Sequence, residues 1–390
     1  MSKGEGHMRS RVIVAFAALL VLGVMAPIQG AGHWGAAEIA SGLDNPRGID
    51  VGSDGTVYVA LSGSGGSELV TGPVQGSLAD VCAGDSGAVI ALGGDGGYEI
   101  VAELPSFAAA ESGSCVGTGF AATGPSNIAA AGQGTLQLAM GLGGGERGDA
   151  SAAFGATHSV LPNGKIKPLA AIVGFESAND PDGAGVDSNP YGIDQVPGGT
   201  LVADAGANAL FLTRPNGSIE TVAVFPPMVG LTWPAVSCPL PFPPAGTPVP
   251  FPVQQVPTSV AVGPDGAYYV GTLVGFPFPT GASAVYRVDQ HTGAVSTYAD
   301  GLTHVTGLEW GPDGALYVAQ MTNASLLDLE ACGGMTPGSV LRITSGGTEV
   351  LANLPIVGDV AVGSDGVVYA TTGSILPSFV GGGSVYALTP

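Results

Sequence analysis

The chain repeats a short pattern in which a turn sequence precedes alternating apolar and polar positions. The clearest copy is Gly263–Val270, and further copies lie at 52–59, 311–318 and 363–370. In each copy an Asp-Gly pair, which tolerates the positive φ of a tight turn, stands beside residues that alternate as in a half-buried strand. Each copy therefore predicts a β-hairpin. Because a lone hairpin is only marginally stable in water, the repeats must pack together to bury a shared core.

Six repeats can be aligned on the apolar residue of their innermost strand, and these residues are Ile49, Ile128, Ile193, Val260, Leu308 and Val360. A loop and a second pair of strands follow each innermost hairpin, as at 284–288 and 294–298. Four strands repeated six times predict an all-β fold, a six-bladed β-propeller of four-stranded blades. The last repeat ends after its third strand, 384–388, and we expect the segment 38–43 to supply the fourth. The N-terminal strand would thereby close the ring.

The lengths of the connections indicate which face of the propeller carries the function. The turns inside the innermost hairpins and between the third and fourth strands are short, as at 162–164 and 215–217. The long connections belong to the two other classes, which emerge together on one face: 61–86, 105–124, 173–188, 226–256, 272–283, 320–338 and 372–384. Function usually resides in long loops on a rigid scaffold, so we expect a ligand on this long-loop face. The segment 225–257 is rich in Pro and predicts an extended cover without regular pairing.

Composition is that of a turn-rich globular protein. Of 390 residues, 66 are Gly and 45% are hydrophobic, while only 11% are charged, so the chain can bury a core and lacks the charge density of a disordered one. The net charge of −21 reflects a scarcity of basic residues, which argues against nucleic acid and anionic membranes as partners. Solubility outside the cell explains the acidity, and cation binding is the alternative.

The N-terminal segment has the features of a secretory signal peptide. Arg9 and Arg11 precede an apolar run from Val12 to Met25, and small residues follow this run. The run is too short to cross a bilayer comfortably, so no membrane span is predicted. We expect residues 1–32 to be the signal peptide and 33–390 to be a single propeller, secreted as a monomer.

Four cysteines follow that segment: Cys82, Cys115, Cys238 and Cys332. An even number in an exported protein suggests two disulfides, and the sequence allows three pairings. All four lie in long connections, where local links are plausible, so we favour Cys82–Cys115 and Cys238–Cys332. Free or metal-bound thiols are the alternative, which no C-x-x-C spacing supports.

Residues around the axial channel are the main candidates for ligand binding. Because the innermost strands converge on the axis, the residue before each aligned apolar position should be small. Asn127 and Asp359 are larger and polar, and both should lie at the channel mouth. Four residues that lie two positions before an aligned apolar residue are predicted to orient an anionic ligand: Arg47, Tyr191, Thr258 and Thr306. The alternative is that all of these bind only loop backbone and water.

Oxygen donors around an axial opening also suit Ca²⁺ or Mg²⁺. The candidate metal ligands are Asn45, Asn127, Asp204 and Asp359. The connector 179–189 is rich in Asn and Asp but lacks the twelve-residue calcium-loop pattern, and a turn-rich loop explains it equally. His304 near the same mouth is a candidate general base, with a hydrogen-bonded structural role as the alternative. No Gly-x-Ser-x-Gly motif supports a hydrolase triad.

Several stretches resemble the secreted ScyD/ScyE family, which is named for the scytonemin biosynthesis cluster of cyanobacteria and also occurs in actinobacteria. The matching stretches lie at 41–48, 187–192, 201–206, 223–227, 256–266 and 275–279, and include Asn-Pro-Tyr-Gly and Phe-Pro-Phe-Pro runs. The resemblance implies a six-bladed fold and export. It carries no established reaction and no catalytic residues.

Two functional hypotheses follow. In the first, the protein is an exported binding or accessory propeller that holds a small molecule, peptide or protein partner on the long-loop face. In the second, it is a metal-dependent enzyme, since six-bladed propellers of the gluconolactonase/regucalcin and streptogramin-lyase groups use an axial divalent cation. The lack of a firm catalytic constellation in the sequence favours the first.

Overall fold

The computed structural model describes residues 34–71, 80–94, 96–117, 119–142, 153–334 and 336–390. The predicted signal peptide at 1–32 lies outside these residues. Within them, six antiparallel sheets are arranged in a ring, and the innermost strand of each contacts those of both neighbours. The predicted all-β, six-bladed propeller is therefore confirmed.

The first three blades are continuous in sequence, and each runs from an innermost to an outermost strand. Blade one contains β2 (Pro46–Val51), β3 (Val57–Leu61), β5 (Val81–Leu92) and β6 (Tyr98–Ala109), with the short β4 (Glu68–Val70) paired to β5. Blade two contains β7 (Pro125–Ala130), β8 (Leu136–Met140), β9 (Ala156–Val160) and β10 (Ile166–Ala170). Blade three contains β11 (Pro190–Val196), β12 (Gly199–Asp204), β13 (Ala209–Thr213) and β14 (Ile219–Val224).

The last three blades complete the ring and include the N-terminal strand. Blade four contains β15 (Pro257–Val262), β16 (Tyr268–Thr272), β17 (Ser283–Val288) and β18 (Val295–Leu302). Blade five contains β19 (Val305–Trp310), β20 (Leu316–Gln320), β21 (Gly338–Thr344) and β22 (Gly347–Leu354). Blade six contains β23 (Val360–Val362), β24 (Val368–Thr372), β25 (Gly383–Thr389) and β1 (Gly35–Leu43).

The ring closes where the sequence predicts. β1 pairs antiparallel with β25, with Glu38 opposite Tyr386. The Tyr386 hydroxyl donates to Glu38 Oε2 at 2.8 Å, and the neighbouring Leu43 is almost fully buried. This pairing gives the last blade its fourth strand and so joins the two ends of the described chain in one sheet.

The core lies between the blades. Six clusters of buried apolar side chains each fill the seam between two adjacent blades. The Tyr of the repeated turn motif contributes to these seams, as when Tyr269 packs against Trp310 of the next blade with ring centroids 4.9 Å apart. The Asp of the motif also contacts this tyrosine, because the Tyr269 hydroxyl donates to Asp265 Oδ2 at 3.3 Å within the same hairpin. The repeat thus serves both the turn and the seam.

The long connections meet one another on one face, as Ala121 N donates to Ile375 O. Several contain more regular structure than predicted. β5 and β6 extend to Val81 and Ala109, into stretches expected to be loops, because the hairpin continues to pair above the ring. Two helices occur in other connections, α1 (Ile172–Asn179) and α2 (Leu326–Cys332), and a 3-10 helix spans Ser378–Val380.

Both favoured disulfides are present in these connections. Cys82–Cys115 joins two long connections of blade one, and Cys238–Cys332 joins the Pro-rich segment to α2. The Pro-rich segment pairs only through isolated bridges, as predicted. Over the described residues, neither helix is long and apolar enough to cross a membrane.

Candidate functional site

The axial channel is narrow. Side chains of all six innermost strands line a cavity of about 30 Å³, which is room for one or two water molecules. An organic ligand is therefore too large for the channel and has to bind at its mouth.

The channel has an alternating pattern, of which the sequence predicted only the polar residues Asn127 and Asp359. In blades one, three and five, Gly precedes the aligned apolar residue and an acid follows it: Gly48 and Asp50, Gly192 and Asp194, Gly307 and Glu309. In the other blades a polar residue precedes and Ala follows: Asn127 and Ala129, Ser259 and Ala261, Asp359 and Ala361. A Cβ on Gly48 would lie 2.5 Å from Asn127 Cα, so the glycines make room for these polar residues.

The three acids were missed by sequence reasoning, although their shared position after the aligned residue was a usable signal. Asp50 Oδ2 accepts from Ala130 N at 2.6 Å, and Asp194 Oδ2 accepts from Val262 N at 2.8 Å. Each bond links an odd-numbered blade to the next. Burial raises the pKa of Asp194 to about 6, and burial followed by repulsion from Asp194 and Asp50 raises the pKa of Glu309.

Asn127 and Asp359 both line the axial channel, and their side chains contact each other. Asn127 Nδ2 donates to Asp359 Oδ2 at 2.8 Å, and that oxygen also accepts from Ile49 N. Asp359 Oδ1 accepts from Val360 N. Burial raises the pKa of Asp359 to about 8, against the opposing effect of these donors.

Arg47 lies beside Tyr191, so the structure brings these two predicted ligand-binding residues together. The guanidinium lies 5.9 Å from the centroid of the Tyr191 ring, and Nη2 donates to Ala122 O at 2.9 Å. Burial raises the pKa of Tyr191. In the described part of the chain, Arg47 is the one arginine without an ion pair to a carboxylate.

Thr258 and Thr306 link blades through their hydroxyls. Thr258 Oγ1 donates to Val305 O at 2.5 Å, and Thr306 Oγ1 donates to Val357 O at 3.3 Å. Both side chains are almost fully buried. These contacts favour the structural alternative for the two threonines.

The other two candidate metal ligands are held by separate neighbours. Asn45 Nδ2 donates to Gly63 O and Gly119 O, both at 2.8 Å, while its buried Oδ1 has no hydrogen-bond partner. Asp204 is fully buried and its carboxylate accepts from one hydroxyl and three backbone N–H groups, those of Ser188, Asn189, Gly206 and Ala207. The described residues contain no group of three or more His, Cys, Asp or Glu side chains placed to hold a metal ion. Asn45 and Asp204 thus have hydrogen-bond partners other than the Asn127–Asp359 pair, and the metal role of the four candidates stays a prediction.

Both ring nitrogens of His304 are occupied. Nδ1 donates to Leu273 O at 3.0 Å, which leaves Nε2 to accept from Leu326 N at 3.2 Å. The ring is buried, and burial lowers its pKa to about 4. A neutral ring that joins two connections fits the structural alternative better than general-base catalysis.

No protein-family model matches the chain, and no curated protein matches it. Solved structures share its fold. A protein of unknown function from Bacteroides thetaiotaomicron is 8% identical over 91% of this chain and 76% of that chain, with a TM-score of 0.50. A streptogramin B lyase is 12% identical over 91% and 97%, with a TM-score of 0.47. An aldose sugar dehydrogenase from Escherichia coli is 12% identical over 92% and 99%, with a TM-score of 0.48. At 8% identity the first of these likenesses shows the fold alone.

Proposed function

We propose that the protein is an exported binding propeller of the ScyD/ScyE type that holds a carboxylate-bearing small molecule or peptide at the channel mouth. The observation that carries this proposal is the Arg47 guanidinium, which lies over Tyr191 and makes no ion pair with a protein carboxylate in the described residues. Two disulfides and the signal-like N-terminal sequence support export.

The chemistry of the site favours an anion. Arg47 uses one donor on Ala122 O and also hydrogen-bonds the Tyr191 side chain, so its other N–H groups are available for an anionic partner such as a carboxylate. Tyr191 and Ala122 fix the guanidinium before the ligand arrives, which reduces the entropy lost on binding. Since the cavity below holds only water-sized groups, the rest of the ligand has to contact the long connections.

Thermal-shift titration with a panel of small carboxylates and peptides with free C-termini tests the proposal. We expect at least one class to raise the Tm of the wild type, and Arg47→Gln to weaken that binding about tenfold or more. Arg342→Gln is the matched control, because Arg342 pairs with Asp313 in a short turn on the opposite face. An equal loss in both variants, or no carboxylate-dependent shift in the wild type, would contradict the proposal.

A divalent-metal-dependent enzyme is the second candidate, and the Asn127–Asp359 pair favours it. A cation near Asp359 would stabilise the ionised carboxylate that burial now disfavours. We expect such a protein to gain thermal stability on addition of Ca²⁺ or Mg²⁺, and Asp359→Asn to abolish the gain. Elemental analysis of the purified protein, together with unchanged melting in metal and in chelator, would rule against this candidate.

A further inference from the structure

The seam between blades two and three differs from the other five seams at one packing position. In each blade, one residue of the second strand pairs with the residue that follows the aligned apolar position. This second-strand residue is a tyrosine in four blades: Tyr58, Tyr269, Tyr317 and Tyr369. Blade three has Leu201 there, and blade two has Gln137. The tyrosines and Leu201 pack into the seam with the following blade. Gln137 does not belong to the apolar cluster of its seam.

A cavity of about 330 Å³ lies at this place. Ala129, Ala139 and Val202 fill the inner part of the seam with apolar contacts. Towards the short turns, the walls become polar, with Gln137 and Ser159 from blade two facing Gln195 and Thr200 from blade three. The volume is at the lower end of the range for ligand pockets, so it suits one small molecule.

The polar walls have unused hydrogen-bonding capacity. Ser159 Oγ donates to Gln137 Oε1 at 3.0 Å, which turns the Gln137 amide N–H₂ away from that partner. Gln195 Nε2 donates to Thr200 Oγ1 at 3.0 Å, which leaves the Thr200 hydroxyl hydrogen for another acceptor. Donor groups of both blades therefore line the same space.

The charge of the cavity is opposite to that of the protein. Lys167 is directly opposite Ser159 in the neighbouring strand, so it lies on the same face as Gln137. Arg214 also lines the cavity, but its guanidinium is paired with Glu220 at 2.7 Å. The chain has 31 acidic residues, yet none is among the described residues that line this cavity.

We propose that this cavity binds a small hydroxylated carboxylate of the size of a sugar acid. Lys167 would pair with the carboxylate, and the Gln137 amide and Thr200 hydroxyl would donate to hydroxyl or ring oxygens. Leu169, Val196 and Pro215 supply the apolar walls. The cavity lies on the face opposite the Arg47 site, so the two sites are independent.

Titration calorimetry with D-glucuronate as the probe, and neutral methyl glucoside for comparison, tests the proposal. We expect the wild type to bind glucuronate saturably. It should bind the glucoside with an affinity lower by about tenfold or more. Lys167→Gln should weaken glucuronate binding about tenfold, whereas Lys165→Gln should leave it unchanged, because Lys165 belongs to the same hairpin but does not line the cavity. Gln137→Tyr, which introduces the residue of four other blades, should abolish binding without lowering the Tm.

The outcomes separate this proposal from the one at the channel mouth. No saturable binding of glucuronate by the wild type, or equal losses in Lys165→Gln and Lys167→Gln, would overturn it. Binding that is lost in Arg47→Gln but kept in Lys167→Gln would place the anion at the mouth and also overturn it. Should Gln137→Tyr fail to fold, the lysine pair still decides.

Discussion

At the scale of the residue, four blades share an unusual backbone conformation where the chain approaches the innermost strand. The residue four positions before the aligned apolar residue has a positive φ of 45–56° in four blades: Asn45, Val256, His304 and Ile356. Such values are costly for β-branched residues and are better tolerated by Asn and His. The shared conformation reflects a sharp turn by which the chain enters the innermost strand. His304 therefore has a backbone reason, as well as two ring contacts, to occupy its position.

Replacing His304 with Ala should destabilise the fold by about 2–4 kcal/mol, because two buried partners lose their hydrogen bonds. Urea unfolding would measure the loss, with His291→Ala as the exposed control. Burial lowers the pKa of His304 to about 4, whereas in the unfolded chain the ring titrates near 6.5 and takes up a proton at pH 6, so the loss on replacement should be smaller at pH 6 than at pH 8. Unchanged stability combined with lost turnover of a substrate would instead support the predicted general base.

Asp204 should act as a structural acceptor for the loop that follows β12. Asp204→Ala removes the acceptor of four donors, and we expect it to cost about 3 kcal/mol or more in urea unfolding. Asp300→Ala, at an exposed position, is the control and should change stability little. If Ca²⁺ stabilised the wild type but not Asp204→Ala, the predicted metal role of Asp204 would gain support.

At the scale of the element, the Pro-rich cover at 226–256 is held by tertiary contacts rather than by pairing. Trp233 stacks on Phe242 with centroids 5.2 Å apart and meets Phe276 edge-on at 5.4 Å. Ser237 N donates to Asp328 Oδ1 of α2, beside the disulfide to Cys332. The sequence predicted an extended segment, but these partners lie up to about a hundred residues away, beyond the reach of local patterns.

Removing the Cys238–Cys332 link by replacing both cysteines with Ser should loosen this cover while the ring of blades remains. Limited proteolysis with mass spectrometry should then find cuts within 226–256 that are absent in the wild type. The matched control is the variant in which Cys82 and Cys115 are both replaced by Ser. That disulfide closes a separate loop, so its removal should leave 226–256 protected. Equal protection in all three proteins would show that the aromatic contacts suffice.

At the scale of the whole molecule, buried acids dominate the expected pH dependence. Burial raises the pKa of Asp194 and Asp204 to about 6, of Glu176 and Glu330 to about 7, and of Asp359 to about 8. In the unfolded chain these groups titrate near pH 4, so between pH 4 and 8 the folded state binds more protons. The free energy of unfolding should therefore fall as pH rises through this window.

Calorimetric scans should show a Tm about 5 °C or more lower at pH 8 than at pH 5. The net charge of −21 acts in the same direction, because protonation relieves repulsion. Asp359→Asn should flatten the fall between pH 6 and 8, since it removes the acid with the highest pKa of these five. A Tm that rises from pH 5 to pH 8 would show that these acids are ionised in the folded state.

The sequence by itself determined the parts of this protein that local chemistry encodes. Asp-Gly turns, period-two alternation and the truncated last repeat predicted the hairpins, six blades and the β1–β25 closure, and the position of the cysteines in long connections indicated their pairing. Only the tertiary structure decided which side chains meet across blades: the partners of His304, the acids of the channel and the space beside Gln137. Those depend on contacts between strands that are tens of residues apart and on the volume left between them, neither of which a local pattern specifies.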